Sequence, residues 1–293
     1  MKILITGSSG FLGNILYQDL KKDNIIYTLN RYSGDYNINL VNEVPNFNDK
    51  FDLVIHCAGM AHKFNEIDST HYNTNVIGTK NLLCALENNI FLKQFIFISS
   101  VSVYGLNEGF LIDENHNLMA KDSYGLSKIE AEKAIINWCI KNKIYYTILR
   151  LPLIAGRNPP GNLGNMINFI NKGLYFNIDN GNAKKSIVLG KDIAIHITNM
   201  IGKNGIYNLT DGDHPSFLEL SKYISLSFKK NKLYNLSIPI AKILSKIGNI
   251  IGNRFPFNDR KLIQMTKTLT FSDNKARKEF GWNPTKAVGN FLN

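Results

Sequence analysis

Cysteine is scarce in this chain of 293 residues, and long apolar runs are missing from it. Cys57, Cys84 and Cys139 are odd in number, far apart and set among apolar neighbours, which excludes a disulfide framework and a cysteine-based metal spacing. No metal site is expected. No apolar run reaches the roughly 20 residues that a spanning helix needs. The start, Met1-Lys2-Ile3-Leu4-Ile5-Thr6-Gly7, goes straight into a buried-strand pattern without a leader-like segment. There is no internal repeat and no low-complexity tail. A soluble protein of a reducing cytoplasm fits these absences.

What is abundant is positive charge, 34 Lys and Arg against 23 Asp and Glu, a formal +11. Such a field favours anionic partners. The lysines read as scattered rather than striped, and no zinc-finger or RNA-recognition motif accompanies them, so nucleic acid is not an expected partner. Phosphorylated small molecules or an anionic membrane surface suit the charge, and much of it also serves solubility. With 44% hydrophobic residues the chain can bury the core of one α/β domain carrying a smaller one.

Short apolar runs at 2–6, 25–30, 53–57, 94–99 and 146–149 alternate with amphipathic stretches near 12–22, 73–88 and 124–141. This alternation predicts a parallel sheet with crossover helices, which binds ligands at the carboxyl ends of its strands. After Arg150-Leu151-Pro152 the regularity weakens, with a further βα unit expected to return to the sheet over 186–200 and a mostly helical stretch from Pro215 to Gly281-Trp282-Asn283-Pro284. Ile240, Ile243, Leu244, Ile247, Ile250 and Ile251 share one helical face. A core- or dimer-facing helix is expected there, with a helix lying on a membrane as the alternative.

Tyr124 and Lys128 stand four apart, on one face of a helix, and a phenol beside an ammonium can form an acid–base catalyst. With 13 Tyr and 28 Lys, about one Tyr-x-x-x-Lys arises by composition alone, and Tyr17 and Lys21 form a second copy. The neighbours discriminate. Thr6-Gly7-Ser8-Ser9-Gly10-Phe11-Leu12-Gly13 joins the first strand to the first helix. Gly7, Gly10 and Gly13 suit a tight turn, close approach of a pyrophosphate and close helix packing, with the helix N-terminus facing the anion. This predicts a dinucleotide site formed by Gly7, Ser9, Gly10, Phe11, Leu12 and Gly13. The second strand ends Leu29-Asn30-Arg31-Tyr32 without the acid that binds the ribose of NAD, and Arg31 favours the 2′-phosphate of NADP(H) over NAD(H).

These motifs, with His56-Cys57-Ala58-Gly59, Asn75-Val76-x-Gly78-Thr79, Ser99-Ser100-x-Ser102-Val103-Tyr104-Gly105 and the Gly281-Trp282-x-Pro284 ending, resemble the extended short-chain dehydrogenase/reductase family that works on nucleotide sugars. The resemblance covers nearly the whole chain. It implies an α/β, Rossmann-type doubly wound parallel sheet over residues 1–150 plus about 186–202. A smaller, mostly helical C-terminal substrate-binding domain would span 151–185 and 203–293. It implies Tyr124 as general acid/base, Lys128 as the group that binds the nicotinamide ribose and stabilises the phenolate, and Ser100, 24 residues before Tyr124, as hydrogen-bond partner of the reacting sugar oxygen. Lowering a phenol from about 10 to about 7 takes roughly 4 kcal/mol of phenolate stabilisation, which cations near it can supply. Ala58 and Gly59 would also meet the cofactor. Ser102 and Tyr104 would line the sugar pocket or pack at the strand end, Asn162 would meet the nucleotide diphosphate, Lys185 and Arg260 would contact its phosphates or stand as solvated cations, and a homodimer is implied.

Sugar dehydratases of the family carry an acidic pair where this chain has Val101 and Ser102, so a dehydratase is not expected. Reduction of a 4-keto sugar and 4-epimerisation remain, and Arg31 tilts the choice toward an NADPH-consuming 4-ketoreductase. The chain also resembles the subgroup that makes N-acetylated 6-deoxyhexoses for bacterial surface polysaccharides, which implies a UDP-linked 6-deoxy-N-acetylhexosamine as substrate. An NAD-dependent 4-epimerase of a UDP-sugar or lipid-linked GlcNAc is the alternative. A catalytically inactive NADP-binding regulator is the rival of another class, disfavoured by the intact Ser100, Tyr124 and Lys128.

Overall fold

The first strand, β1 (Lys2–Thr6), is four-fifths buried, and its side chains alternate between two cores. Ile3 and Ile5 point into one hydrophobic layer, Leu4 into the other. This alternation needs helices on both faces, and the order of elements in the computed structural model supplies them. The description covers residues 1–60, 68–230, 232–252, 255 and 257–292.

After β1 come α1 (Phe11–Leu20), β2 (Ile25–Asn30), β3 (Tyr36–Asn37), β4 (Leu53–His56), α2 (Asp68–Tyr72), a π turn (Asn73–Ile77) and α3 (Gly78–Ala85). Then follow β5 (Gln94–Ser100), a 3₁₀ turn (Val101–Tyr104), β6 (Gly109–Ile112), α4 (Ser123–Asn142), β7 (Tyr145–Leu151), β8 (Leu153–Ala155), α5 (Gly161–Asn171) and β9 (Phe176–Ile178). The chain ends with β10 (Ile187–Leu189), α6 (Gly190–His196), β11 (Gly205–Asn208), α7 (Phe217–Ser227), β12 (Tyr234–Leu236), α8 (Ile238–Ile251), α9 (Asp259–Thr266), β13 (Leu269–Phe271) and α10 (Asn274–Phe280).

Seven strands form one parallel sheet in the order β11-β7-β5-β4-β1-β2-β3. The order reverses between β1 and β4, which opens a crevice at their carboxyl ends. Buried Leu12, Leu16, Ile193, Ile197 and Met200 cover one face, and Leu82, Leu83, Ala131, Ile135 and Trp138 cover the other. A smaller core joins α5, β10 and α7 through Leu163, Met166, Leu189, Leu220 and Ile224.

Two expectations need correction. The βα unit over 186–200 does not bring a strand back to the main sheet, because β10 pairs with β8. The seventh sheet strand is β11, which pairs with β7 inside the stretch assigned to the substrate region. The chain returns once more, since Phe280 and Trp282 are buried in the core of the main sheet and the Trp282 indole donates to Thr210 O at 2.9 Å. The second correction concerns α8. Its inward row is Ala241, Ser245 and Gly248, and the isoleucines face away from the core. Among the described residues no helix is long and apolar enough to cross a membrane.

Candidate active site

The first turn of α4 is fixed by its neighbours. Asp122 caps the helix by accepting from Gly125 N at 3.1 Å. A β-carbon on Gly125 would lie 2.6 Å from Ala120 Cβ and 3.0 Å from Ser102 O, so the missing side chain lets the helix press against the 3₁₀ turn after β5. That contact brings the Tyr124 phenol to the Ser100 hydroxyl, which are hydrogen-bonded. Ser100 Oγ also accepts from Ser102 N at 3.2 Å. One turn along, Lys128 is buried, donates from Nζ to Ile98 O at 2.9 Å, and lies 4.6 Å from the centroid of the Phe97 ring.

Burial draws the Lys128 ammonium down from 10.5 to about 8, with Cys57 and Glu132 working against the shift. The protein's own groups raise the Tyr124 phenol, through burial first, opposed by the Ser100 hydrogen bond and assisted by Asp122. The depression expected from a lysine neighbour is not what these groups produce, because burial of the phenol outweighs the Ser100 hydrogen bond.

The glycine loop lies at the reversal point of the sheet. Gly7 has φ +70°, and a β-carbon there would come within 2.7 Å of Ala58 Cα, while one on Gly13 would come within 2.2 Å of Gly7 O. Gly10 is the N-cap of α1, with no side-chain cap and no acid in the first turn, so the first amides and the positive end of the helix dipole are left for an anion. This cradle fits a dinucleotide pyrophosphate. Ser9 and Gly10 are exposed, Phe11 packs beside Gly156, and the Leu12 side chain is in the core, leaving its backbone as the usable part. Gly59 adjoins Lys128, since a β-carbon on it would lie 3.3 Å from Nζ.

Several residues behind the crevice stood in the sequence motifs without a role assigned to them. Asn30 Oδ1 accepts from Ser9 N at 3.1 Å and its amide donates to Ser8 Oγ at 2.9 Å, so the residue in place of the acid ties down the glycine loop. Asn75 Oδ1 accepts from Met60 N at 2.8 Å and its Nδ2 donates to Ser127 Oγ at 2.9 Å, locking the loop after β4 to α4. Thr79 Oγ1 donates to Asn75 O, so it accepts from His56 Nε2 at 2.9 Å, leaving His56 Nδ1 to accept from Thr6 Oγ1 at 2.6 Å. Burial lowers His56 to about 3, which keeps it neutral.

Beneath the trio, Arg150 and Glu132 form a fully buried ion pair at 2.7 Å, extended by Ser99 to Glu132 and by Arg150 Nη1 to Tyr104 OH. Glu132 falls four residues after Lys128, on the same buried face of α4, and a carboxylate there was the available signal. Tyr104 belongs to this network. It has no exposed surface, its hydroxyl donates to Asn208 Oδ1 at 2.8 Å, and it stacks on Phe271, so it does not line a pocket as expected. Ser102 is different, because its Oγ is buried with no hydrogen-bond partner, leaving a hydroxyl to be satisfied beside Ser100.

A model described as the NAD dependent epimerase/dehydratase family matches residues 3–209. The chain belongs to that family. It is 27% identical to a UDP-glucose 4-epimerase of Vibrio cholerae, over 98% of this chain and 92% of the relative. It is also 27% identical to an N-acetyl-alpha-D-glucosaminyl-diphospho-ditrans,octacis-undecaprenol 4-epimerase of Escherichia coli O157:H7, over 93% and 88%. Among solved structures, a UDP-glucuronic acid 4-epimerase from Bacillus cereus in complex with NAD superposes with a TM-score of 0.78 at 17% identity, covering 100% of this chain and 94% of that one. Membership in the epimerase/dehydratase family makes this an NAD(P)-dependent enzyme.

The remaining expected positions are Arg31, Asn162, Lys185 and Arg260, of which only Arg260 lies outside the stretch that the epimerase/dehydratase model matches. Arg31 is exposed, with its guanidinium 5.8 Å from the Tyr32 ring centroid. Asn162 is in the first turn of α5, where Lys261 of α9, rather than its neighbour Arg260, donates to its side-chain oxygen. Lys185, bridged to Leu269, is pulled down to about 8 by burial and has no ion-pair partner among the described residues. A half-buried cation without a carboxylate suits a phosphate group.

Proposed function

We propose that this enzyme reduces the C4 ketone of a UDP-linked 6-deoxy-N-acetylhexosamine with NADPH, supplying a sugar for bacterial surface polysaccharide. The observation that carries the proposal is the end of β2. Asn30 replaces the ribose-binding acid and spends its amide on Ser8 and Ser9, the nearby Asp35 carboxylate is taken up by Thr28, and exposed Arg31 stands next to Asn30. The dinucleotide, when bound, supplies the hydride. Tyr124, held protonated by burial, gives its proton to the C4 oxygen, and Ser100 donates a hydrogen bond to the same oxygen. Lys128, with its ammonium at the Ile98 carbonyl, lies where a nicotinamide ribose would meet Gly59. Lys185, Asn162 and Arg260 are proposed contacts of the nucleotide diphosphate, and Ser102 offers its unspent hydroxyl to the sugar. A homodimer is part of the same proposal.

The test is turnover of UDP-4-keto-6-deoxy-N-acetylhexosamine with NADPH, beside UDP-GlcNAc and UDP-galactose with no cofactor added. Net NADPH oxidation supports the reductase. Arg31→Ala should raise the KM for NADPH about tenfold and leave that for NADH unchanged. Interconversion of UDP-sugars without net oxidation overturns the proposal in favour of 4-epimerisation, the second reading, which the names of both relatives favour.

A further inference from the structure

Helix α8 is built the wrong way round for a core helix. Its 14 residues bury a row of small side chains, Ala241, Ser245 and Gly248. The approach there is tight, since a β-carbon on Gly248 would collide with Phe257 O. Asp259 anchors the same side by accepting from Ser245 Oγ at 2.6 Å and Asn249 Nδ2 at 2.7 Å. The large residues point outward instead. Ile243 is 61% exposed and Ile250 86%, with Ile240, Ile247 and Ile251 also exposed on the same side. Such a row of branched aliphatic side chains in water is costly, and a monomer gains nothing from it.

The charge around this face identifies its occupant. Residues 221–271 contain ten Lys and Arg and one acid, Asp259, a net +9 of the whole chain's +11. The excess is therefore not scattered along the sequence; it is concentrated in the segment that carries the isoleucine helix. Lys242 and Lys246 project from α8 itself, next to the apolar stripe, and both are exposed. The one acid is already engaged in anchoring the helix. A second copy docked on α8 would bring Lys242 and Lys246 against their own like, and like charges around an apolar patch oppose self-association. An apolar stripe flanked by exposed cations matches a surface that is apolar beneath and anionic on top.

We propose that the α8 face seats on an anionic phospholipid bilayer, with the isoleucines entering the acyl boundary and the surrounding lysines meeting the headgroups. Asn162, Lys261 and Arg260 lie close behind this face, because α9 packs on α8 and Lys261 reaches Asn162. The proposed diphosphate contacts would then sit near the membrane surface, which suits an enzyme whose product is consumed, or whose substrate is held, at a membrane. The bilayer contact itself does not depend on which sugar is turned over.

The full-length protein should be cosedimented with vesicles of phosphatidylcholine alone and with vesicles containing about 30% phosphatidylglycerol, with no sugar or cofactor present. Binding is expected to the anionic vesicles and should weaken at about 0.5 M salt. The double variant Ile243→Ser with Ile250→Ser should partition about tenfold less while keeping its melting temperature and its turnover of a soluble substrate. Lys242→Glu with Lys246→Glu should weaken binding to a similar degree. Failure of the wild type to bind anionic vesicles overturns the proposal, as does binding that both double variants retain. A fall in molar mass of the isoleucine variant in light scattering would also overturn it, by showing that a second copy covers the face.

Discussion

On α1, Lys21 holds its ammonium 4.9 Å from the centroid of the Tyr17 ring, which is half-buried against the core of the main sheet. On α4 the same spacing is drawn into the protein. Lys128 is buried against Phe97 and the Ile98 carbonyl, and Tyr124 is bonded to Ser100. Burial draws the Lys128 ammonium down to about 8. Spacing places two side chains on one helical face; only the surroundings of that face decide whether their protonation becomes useful.

The contrast can be broken most directly at Tyr124. Tyr124→Phe should lower turnover by about 10²- to 10⁴-fold with dinucleotide binding retained, measured by steady-state kinetics and cofactor titration. Retained turnover would place the proton transfer elsewhere. The next largest effect is expected below the site, where Glu132→Ala leaves the Arg150 guanidinium buried without its carboxylate. A loss of about 3–5 kcal/mol in denaturant unfolding is expected, with no counterpart under α1.

Lys128 sharpens the comparison by coupling activity to stability. Its folded pKa of about 8 lies below the ordinary 10.5, so folding expels a proton between those values. The penalty for burying the charge is therefore full below pH 8 and disappears as pH rises through 10.5. Lys128→Met should raise the unfolding free energy at pH 7 by about 1 kcal/mol, less at pH 10, while abolishing turnover. The smallest effect is reserved for the surface copy, since Tyr17→Phe with Lys21→Ala should leave turnover unchanged and shift stability by about 0.5 kcal/mol at most.

Much of the fold was legible because apolar periodicity is a local property. The five expected strands match β1, β2, β4, β5 and β7 to within a residue or two, and the long helix over 124–141 matches α4. The helix expected over 73–88 is instead a π turn followed by α3, and Asn75 inside that turn holds Met60 and Ser127. Pairing partners were less legible. Nothing in the residues 186–200 tells β10 to join β8 rather than the main sheet, since a short apolar strand satisfies either edge.

The candidate site divides along the same line. Ser100, Tyr124 and Lys128 were expected from the family resemblance and the glycine loop from its place between strand and helix, whereas Asn30, Asn75 and Glu132 had no role until the chain brought Ser9, Met60 and Arg150 to them. Tyr104 reads as a pocket or a packing residue and α8 as a core- or dimer-facing helix or one lying on a membrane, and the structure shows Tyr104 packed and the α8 isoleucines turned away from the core. Sequence by itself determined the βα alternation, the glycine turn and the excess of cations, because these rest on residue type and near neighbours. Only the tertiary structure decided which tyrosine meets a serine and which face of an apolar helix meets the protein. Burial and partner choice are set by segments remote in sequence, and those contacts set the pKa values.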